Sequence, residues 1–223
     1  MDKSILKQNY ENVLENINKY SRGKKAQLLM ATKMQSAEDI NYLIDNGAYI
    51  IGENKVNELL EKYESYDKRA HIHFIGTLQS NKVKYIIDKV ELIHSVDKLS
   101  LLEEIDKRAK KIGKTMDVLL EVNSGREESK GGIFPEDVCE FYKKAIEFEN
   151  VRVRGLMTMA PRCETREEYL HYFGITKELF DTLFENDENA ILSMGMSESY
   201  TYALEAGATL VRVGSKIFGE RKY

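Results

Sequence analysis

The sequence predicts an α/β fold, a single closed (β/α)8 TIM barrel spanning residues 1–223 with an extra helix at its amino terminus. Three observations carry that prediction. Short apolar runs rich in β-branched residues alternate with longer, charged, amphipathic stretches; eight such runs can be counted; and small or polar residues stand where each run ends. The runs cover residues 27–32, 49–51, 71–75, 92–94, 117–122, 152–157, 190–193 and 209–213. Eight βα units also fit a chain of 223 residues, a little above the roughly 200-residue lower limit of this architecture.

Each element has its own signature. Residues 4–20 place Ile5, Tyr10, Val13, Leu14 and Ile17 at mostly helical spacing, which predicts an opening helix packed on the outside of the domain. Residues 97–111 and 164–185 alternate charges with apolar positions at helical spacing and read as outer-ring helices with one wet face. The run ends are Lys33, Gly52-Glu53-Asn54, Gly76, Ser95, Asn123-Ser124, Thr158, Gly195 with Ser197, and Gly214-Ser215. A closed barrel gathers them on one rim, where sites of this fold are built; an open doubly wound sheet, the alternative, spreads them along a crevice.

Composition narrows the function. With 42% hydrophobic residues the chain can bury one sizeable core, and two prolines with no long Gly/Ser tract leave no visible linker. Lys and Arg total 33 against 37 Asp and Glu, a net charge of −4, which argues against nucleic acid as a partner. No apolar stretch approaches the ~20 residues of a membrane span. Cys139 and Cys163 follow an opening that leads into an amphipathic helix rather than an apolar leader, so they read as reduced and the protein as cytoplasmic.

Lys33 is the most informative residue. It closes the apolar run Leu28-Leu29-Met30-Ala31-Thr32 just before a helical segment begins at Ser36. A desolvated amine with a lowered pKa attacks carbonyls, whereas a lysine that merely snorkels from a strand end does not; both readings fit this segment. Near the other end, Gly214-Ser215 follows the eighth run and Ser197 follows the seventh. Glycine lets an anion approach the backbone and serine adds a hydroxyl, so the two turns together favour a phosphate-type site; singly, each is an ordinary turn, and Ser197 suits the N-cap of the next helix. Arg212 shares a strand face with Leu210 and Gly214, and if that face looks inward its guanidinium needs a ligand atom or a carboxylate such as Glu121. His71 and His73 share a face at i, i+2, a spacing compatible with metal binding, but with no third ligand nearby a core role is the better reading. The glycine-bearing loop at 123–133 reads either as a rim element beside a ligand or as a solvated turn.

Several phrases together resemble the pyridoxal-phosphate homeostasis protein family, related to the amino-terminal barrel domain of alanine racemases. They are Leu28-Leu29-Met30-Ala31-Thr32-Lys33, Gly52-Glu53-Asn54, His73-Phe74-Ile75-Gly76-Thr77-Leu78-Gln79-Ser80-Asn81-Lys82, His94-Ser95-Val96-Asp97, Arg154-Gly155-Leu156-Met157, Leu192-Ser193-Met194-Gly195-Met196-Ser197 and Val211-Arg212-Val213-Gly214-Ser215-Lys216-Ile217-Phe218-Gly219. The resemblance implies that Lys33 holds pyridoxal 5'-phosphate as an internal Schiff base and that Ser197, Gly214 and Ser215 receive its phosphate. It places Arg212 beside the pyridine nitrogen and Asn54 near the lysine and ring. An arginine there disfavours protonation of the ring nitrogen and weakens the cofactor as an electron sink. The chain departs from the family's Thr-Lys-Pro after the lysine, reading Met34-Gln35-Ser36, and has Thr77 for a common proline and Ser215 for a common threonine.

The resemblance implies a protein that carries and buffers pyridoxal phosphate and maintains vitamin B6 and amino-acid homeostasis, with pyridoxal-phosphate-dependent apoenzymes as possible recipients. A racemase-like enzyme acting on a small amino acid is the alternative. Alanine racemases oppose the cofactor lysine with a tyrosine from a second domain of a partner chain, and with few residues after Ser215 that base is expected to be missing. No catalytic residue, no metal and a monomer are therefore expected. A Schiff-base aldolase barrel would use the same lysine and turns but leaves the other phrases unexplained.

Overall fold

The computed structural model describes residues 2–21, 23 and 25–219. The outermost ends of the expected 1–223 span, residue 1 and residues 220–223, lie outside the described residues. Eight strands form the barrel: β1 (Gln27–Ala31), β2 (Ile50–Glu53), β3 (His71–Phe74), β4 (Leu92–Val96), β5 (Met116–Val122), β6 (Val151–Thr158), β7 (Ile191–Ser193) and β8 (Leu210–Val213). They pair in chain order, every neighbour parallel, and β8 returns to β1. That closure rules out the open sheet. Each strand falls on an expected run with its ends displaced by one or two residues, because turn residues extend or trim the ladder.

Helices fill the outer ring: α1 (Lys3–Tyr20), α2 (Ala37–Asp45), α3 (Val56–Lys62), α4 (Val83–Ile86), α5 (Leu99–Lys111), α6 (Val138–Ala145), α7 (Arg166–Phe184), α8 (Tyr200–Glu205) and the short α9 (Ser215–Phe218). The extra helix α1 starts at an Asp2 cap whose side chain accepts from the Ser4 N–H, and it buries Leu6, Tyr10, Val13 and Ile17. The sequence reading had turned Ile5 inward. Ile5 is instead 52% exposed and Leu6 takes the buried position, since the spacing 6, 10, 13, 17 keeps closer to 3.6 residues per turn. Asn9 donates to the Ile217 carbonyl at 3.1 Å and Asn16 to the Tyr200 hydroxyl at 3.0 Å, fixing α1 beside α8 and α9.

Strand alternation divides the core. The main cluster lies between barrel and helices, while Leu29, Ile75 and Leu210, and separately Leu92, Leu119 and Met157, fill the barrel interior. Two residues further along their strands stand Arg212 after Leu210, His94 after Leu92 and Glu121 after Leu119, all buried. An apolar plug thus supports a polar layer just under the carboxyl rim. Gly76 joins two rim loops, because a Cβ there would meet the Asn54 carbonyl oxygen at 2.1 Å.

Two glycines give opposite expectations. Gly76→Ala forces backbone apart and is expected to cost more than about 2 kcal/mol, whereas Gly174 within α7, with nothing within 4 Å of its added Cβ, should gain up to about 1 kcal/mol as alanine. Thermal melting of the two variants checks this, and a stabilised Gly76→Ala would refute the packing assignment.

Candidate functional site at the carboxyl rim

Lys33 follows β1 with one residue between. Leu29 and Ala31 face the barrel interior, so the same alternation carries Lys33 over the mouth and turns Thr32 outward. The chain then reverses: Gln35 N–H donates to the Thr32 carbonyl at 3.1 Å, and Met34 stands in the left-handed region with φ 64°. Ser36 caps α2 by accepting from the Asp39 N–H.

One cavity of about 100 Å³ is lined by Lys33, Asn54, Ser197, Arg212, Gly214 and Ser215, together with Ala31, Gln35, Ile75, Met159, Met196 and Gly219. All six residues singled out from the sequence therefore meet there. An adjoining cavity of about 370 Å³ shares Met159, Met196, Ser197, Arg212 and Ser215 and adds Lys130 and Arg162. The loop at 123–133 borders this second space. It is held by Asn123, whose side chain accepts from the Glu127 N–H at 3.1 Å, and by Asp97, which accepts from Gly132 N–H at 3.1 Å.

The anion-type turns are built differently from the expectation. The helix after β7 starts at Tyr200 with Ser199 as its cap, so Ser197 is not the N-cap; its Oγ accepts the Gly214 N–H at 3.1 Å and ties the two turns together. Gly214 is favoured by proximity, since a Cβ would press on the Ala31 carbonyl oxygen at 3.1 Å. On Asn54, Oδ1 is buried with no hydrogen-bond partner in the protein, an acceptor suited to a ligand donor.

Arg212 is buried. Its Nη1 donates to the Ser193 carbonyl at 2.9 Å and to Ser193 Oγ at 2.7 Å, and its Nη2 donates to the Thr158 carbonyl at 2.9 Å. No ion pair with Glu121 forms among the described residues; Glu121 acts on Arg212 through space, partly offsetting the burial that lowers the guanidinium to about 10. It remains a cation at neutral pH. The same Ser193 Oγ lies 3.1 Å from His94 Nδ1, and His94 Nε2 lies 3.0 Å from His73 Nδ1. Burial pushes His73 down to about 3 and His94 well below the usual range, so both rings are neutral. His71, by contrast, is exposed against Glu91 at 2.9 Å. The histidines divide between surface and core, and no group of three or more potential metal ligands exists among the described residues.

Sequence reasoning missed the outward half of the site. Glu53 is fully buried, and its Oε1 accepts from Thr32 Oγ1 at 2.8 Å, Lys62 Nζ at 2.7 Å and Tyr66 OH at 2.5 Å. The signal was present in Gly52-Glu53-Asn54, because alternation sends Glu53 to the side opposite Gly52 and Asn54, between strand and helix, where a carboxylate requires partners.

Comparison with known proteins now decides the family. The model of the alanine racemase N-terminal domain matches residues 2–222. The chain belongs to this family. It is 48% identical over 201 residues to the pyridoxal phosphate homeostasis protein of Aquifex aeolicus, covering 89% of this chain and 88% of that one. Among solved structures, a protein of unknown role from Bifidobacterium adolescentis superposes with TM-score 0.91 at 31% identity, covering 97% of this chain and 95% of that one. PipY of Synechococcus elongatus with pyridoxal phosphate bound superposes with TM-score 0.78 at 28% identity, covering 92% and 99%. Among the described residues, no helix of this family member is long and apolar enough to cross a membrane.

Glu121 yields a pH prediction. Burial first and the Asp97 charge second raise its carboxyl from 4.5 to about 7, against the pull of Arg212. The unfolded chain ionises first, so stability is lost as pH rises from about 4.5 to about 7 and stays lost above. Glu121→Gln is therefore expected to be more stable than wild type at pH 8, by on the order of 3 kcal/mol, with the gain gone near pH 4. Equal gains at both pH values in chemical denaturation would contradict the assignment.

Proposed function

We propose that this chain binds pyridoxal 5'-phosphate covalently through Lys33 and serves as a carrier and buffer of that cofactor, supporting vitamin B6 and amino-acid homeostasis. The observation that carries the reading is the convergence of an amine, two hydroxyls, a glycine turn, an orphaned amide oxygen and a buried guanidinium on one cavity. The donor set fits the group. When bound, the cofactor supplies an aldehyde that links reversibly to an amine and a phosphate that serves as a handle. The names and the bound cofactor of the relatives point the same way.

The residues divide the work. Lys33 supplies the nucleophilic nitrogen from a backbone held rigidly over the mouth. Ser197 accepts the Gly214 N–H, which leaves its hydroxyl hydrogen for a ligand oxygen; Ser215, at the start of α9, offers a second hydroxyl. Asn54 Oδ1 accepts from a ligand hydroxyl. Arg212 only donates and stays charged, so it opposes protonation of a ring nitrogen beside it and favours retention over electron-sink chemistry. Among the described residues that line this cavity, Lys33 and Arg212 are the ionisable side chains. Holding and releasing an aldehyde needs one amine, whereas racemisation needs two opposed bases, and this supports the carrier reading over the enzyme. The open rim suits transfer to apoenzymes.

Purified protein given pyridoxal phosphate is expected to turn yellow, and borohydride reduction followed by peptide mapping should place the label on Lys33. Lys33→Ala should lose the absorbance band and keep its circular dichroism. A wild-type spectrum and mass without bound cofactor would defeat the reading. Amino acids should not be racemised at useful rates; robust racemisation abolished by Lys33→Ala would establish the enzyme instead.

A further inference from the structure

The backbone that carries Lys33 is gripped from behind by another lysine. Lys62 ends α3, its side chain is largely buried, and its ammonium donates to the Thr32 carbonyl at 3.1 Å and the Gln35 carbonyl at 3.5 Å. The same ammonium pairs with Glu53 at 2.7 Å and Glu58 at 2.9 Å. Thr32 and Gln35 are the first and last residues of the turn that contains Lys33 and Met34. Glu58 also accepts the Met34 N–H.

We propose that Lys62, seated between Glu53 and Glu58, is a positioning residue that fixes the Lys33 turn, deepening the reading of Lys33 as the cofactor's tether. Glu53 alone would give Lys62 an ion pair of purely structural kind. The two carbonyls are what distinguish this arrangement, because an ammonium that reaches both ends of a reverse turn sets its width. Met34 makes the need specific. A long side chain at φ 64° is disfavoured, and such a residue persists where its surroundings over-determine it. Here the Gln35 to Thr32 hydrogen bond, the Glu58 acceptor under Met34 and the Lys62 ammonium do so together. Without the ammonium, two carboxylates face each other behind the turn with no cation between them, and the turn is expected to relax. Lys33 then starts its reaction from a spread of positions, and misplacement of a reacting group by about 1 Å can cost up to about 100-fold.

The test uses the full chain and two readouts. One is the rate at which apoprotein captures added pyridoxal phosphate, followed by absorbance. The other is the pH dependence of acetic anhydride labelling of Lys33 in the apoprotein, read by peptide mass, which needs no cofactor. Lys62→Met, which keeps the stem's volume, is expected to fold, to capture the cofactor at least about tenfold more slowly and to shift the Lys33 labelling profile, with partial recovery in Lys62→Arg. A folded Lys62→Met with wild-type capture and labelling overturns the proposal while leaving Lys33 as tether intact. If Lys62→Met does not fold, Lys62→Gln, which keeps a polar head and loses the charge, takes its place; slowed capture with a shifted labelling profile supports the proposal, and unchanged capture and labelling overturn it. If wild type itself captures no cofactor, the carrier reading falls, and unchanged Lys33 labelling in Lys62→Met decides against the positioning role independently.

Discussion

Everything at the rim depends on the pairing of β1 with β8. Gln27, Leu28, Leu29 and Met30 lie opposite Leu210, Val211, Arg212 and Val213. That register sets the turn after β1 against the turn after β8, so Lys33 and Gly214-Ser215 share a cavity although nearly the whole chain separates them. The remaining seven pairings close the barrel, but this one brings the amine beside the turn after β8. The contact is close enough that a Cβ at residue 214 would press on the Ala31 carbonyl oxygen at 3.1 Å.

Beneath the rim the barrel interior changes from apolar to polar within two residues of each strand. The cost of burying Arg212 is met by carbonyls of β6 and β7 and by the Ser193 hydroxyl, rather than by a hydrogen-bonded carboxylate. An arginine satisfied by neutral acceptors keeps its positive charge available to whatever lies above it. The neutral His94 and His73 continue the hydrogen-bonded chain downward without adding a second charge. Arg212 is consequently a buried, fixed cation beneath the mouth, with Lys33 above it in the same cavity and Glu121 at a distance.

The barrel was legible because alternation and run length are local signals, and the rim followed because run ends must gather where strands close. The six lining residues were legible partly from chemistry at those ends and partly from resemblance, which contributed Asn54. What local pattern did not show was which side-chain partners meet across elements. Arg212 was expected to meet a ligand atom or a carboxylate such as Glu121; it bonds Ser193 and Thr158, because β7 beside it and β6 beyond place carbonyls nearer than a carboxylate on β5, three strands away. Ser197 looked like a helix cap, and only the register of β7 and β8 turns its hydroxyl to the Gly214 N–H. Lys62 stood unnoticed at a helix end, where a lysine usually meets solvent; its burial depends on Glu53, Thr32 and Tyr66 arriving from three other segments.

The closing register also has a consequence in time. During synthesis, β1 is among the first strands made and β8 the last, so one flank of β1 has no partner until residues near 213 have emerged. Non-local parallel pairing of this kind slows folding and exposes a strand edge to other chains meanwhile. That edge stays open to wrong partners until β8 docks. By the same geometry, the cavity around Lys33 is not assembled until β8 docks, because Arg212, Gly214 and Ser215 form one of its walls.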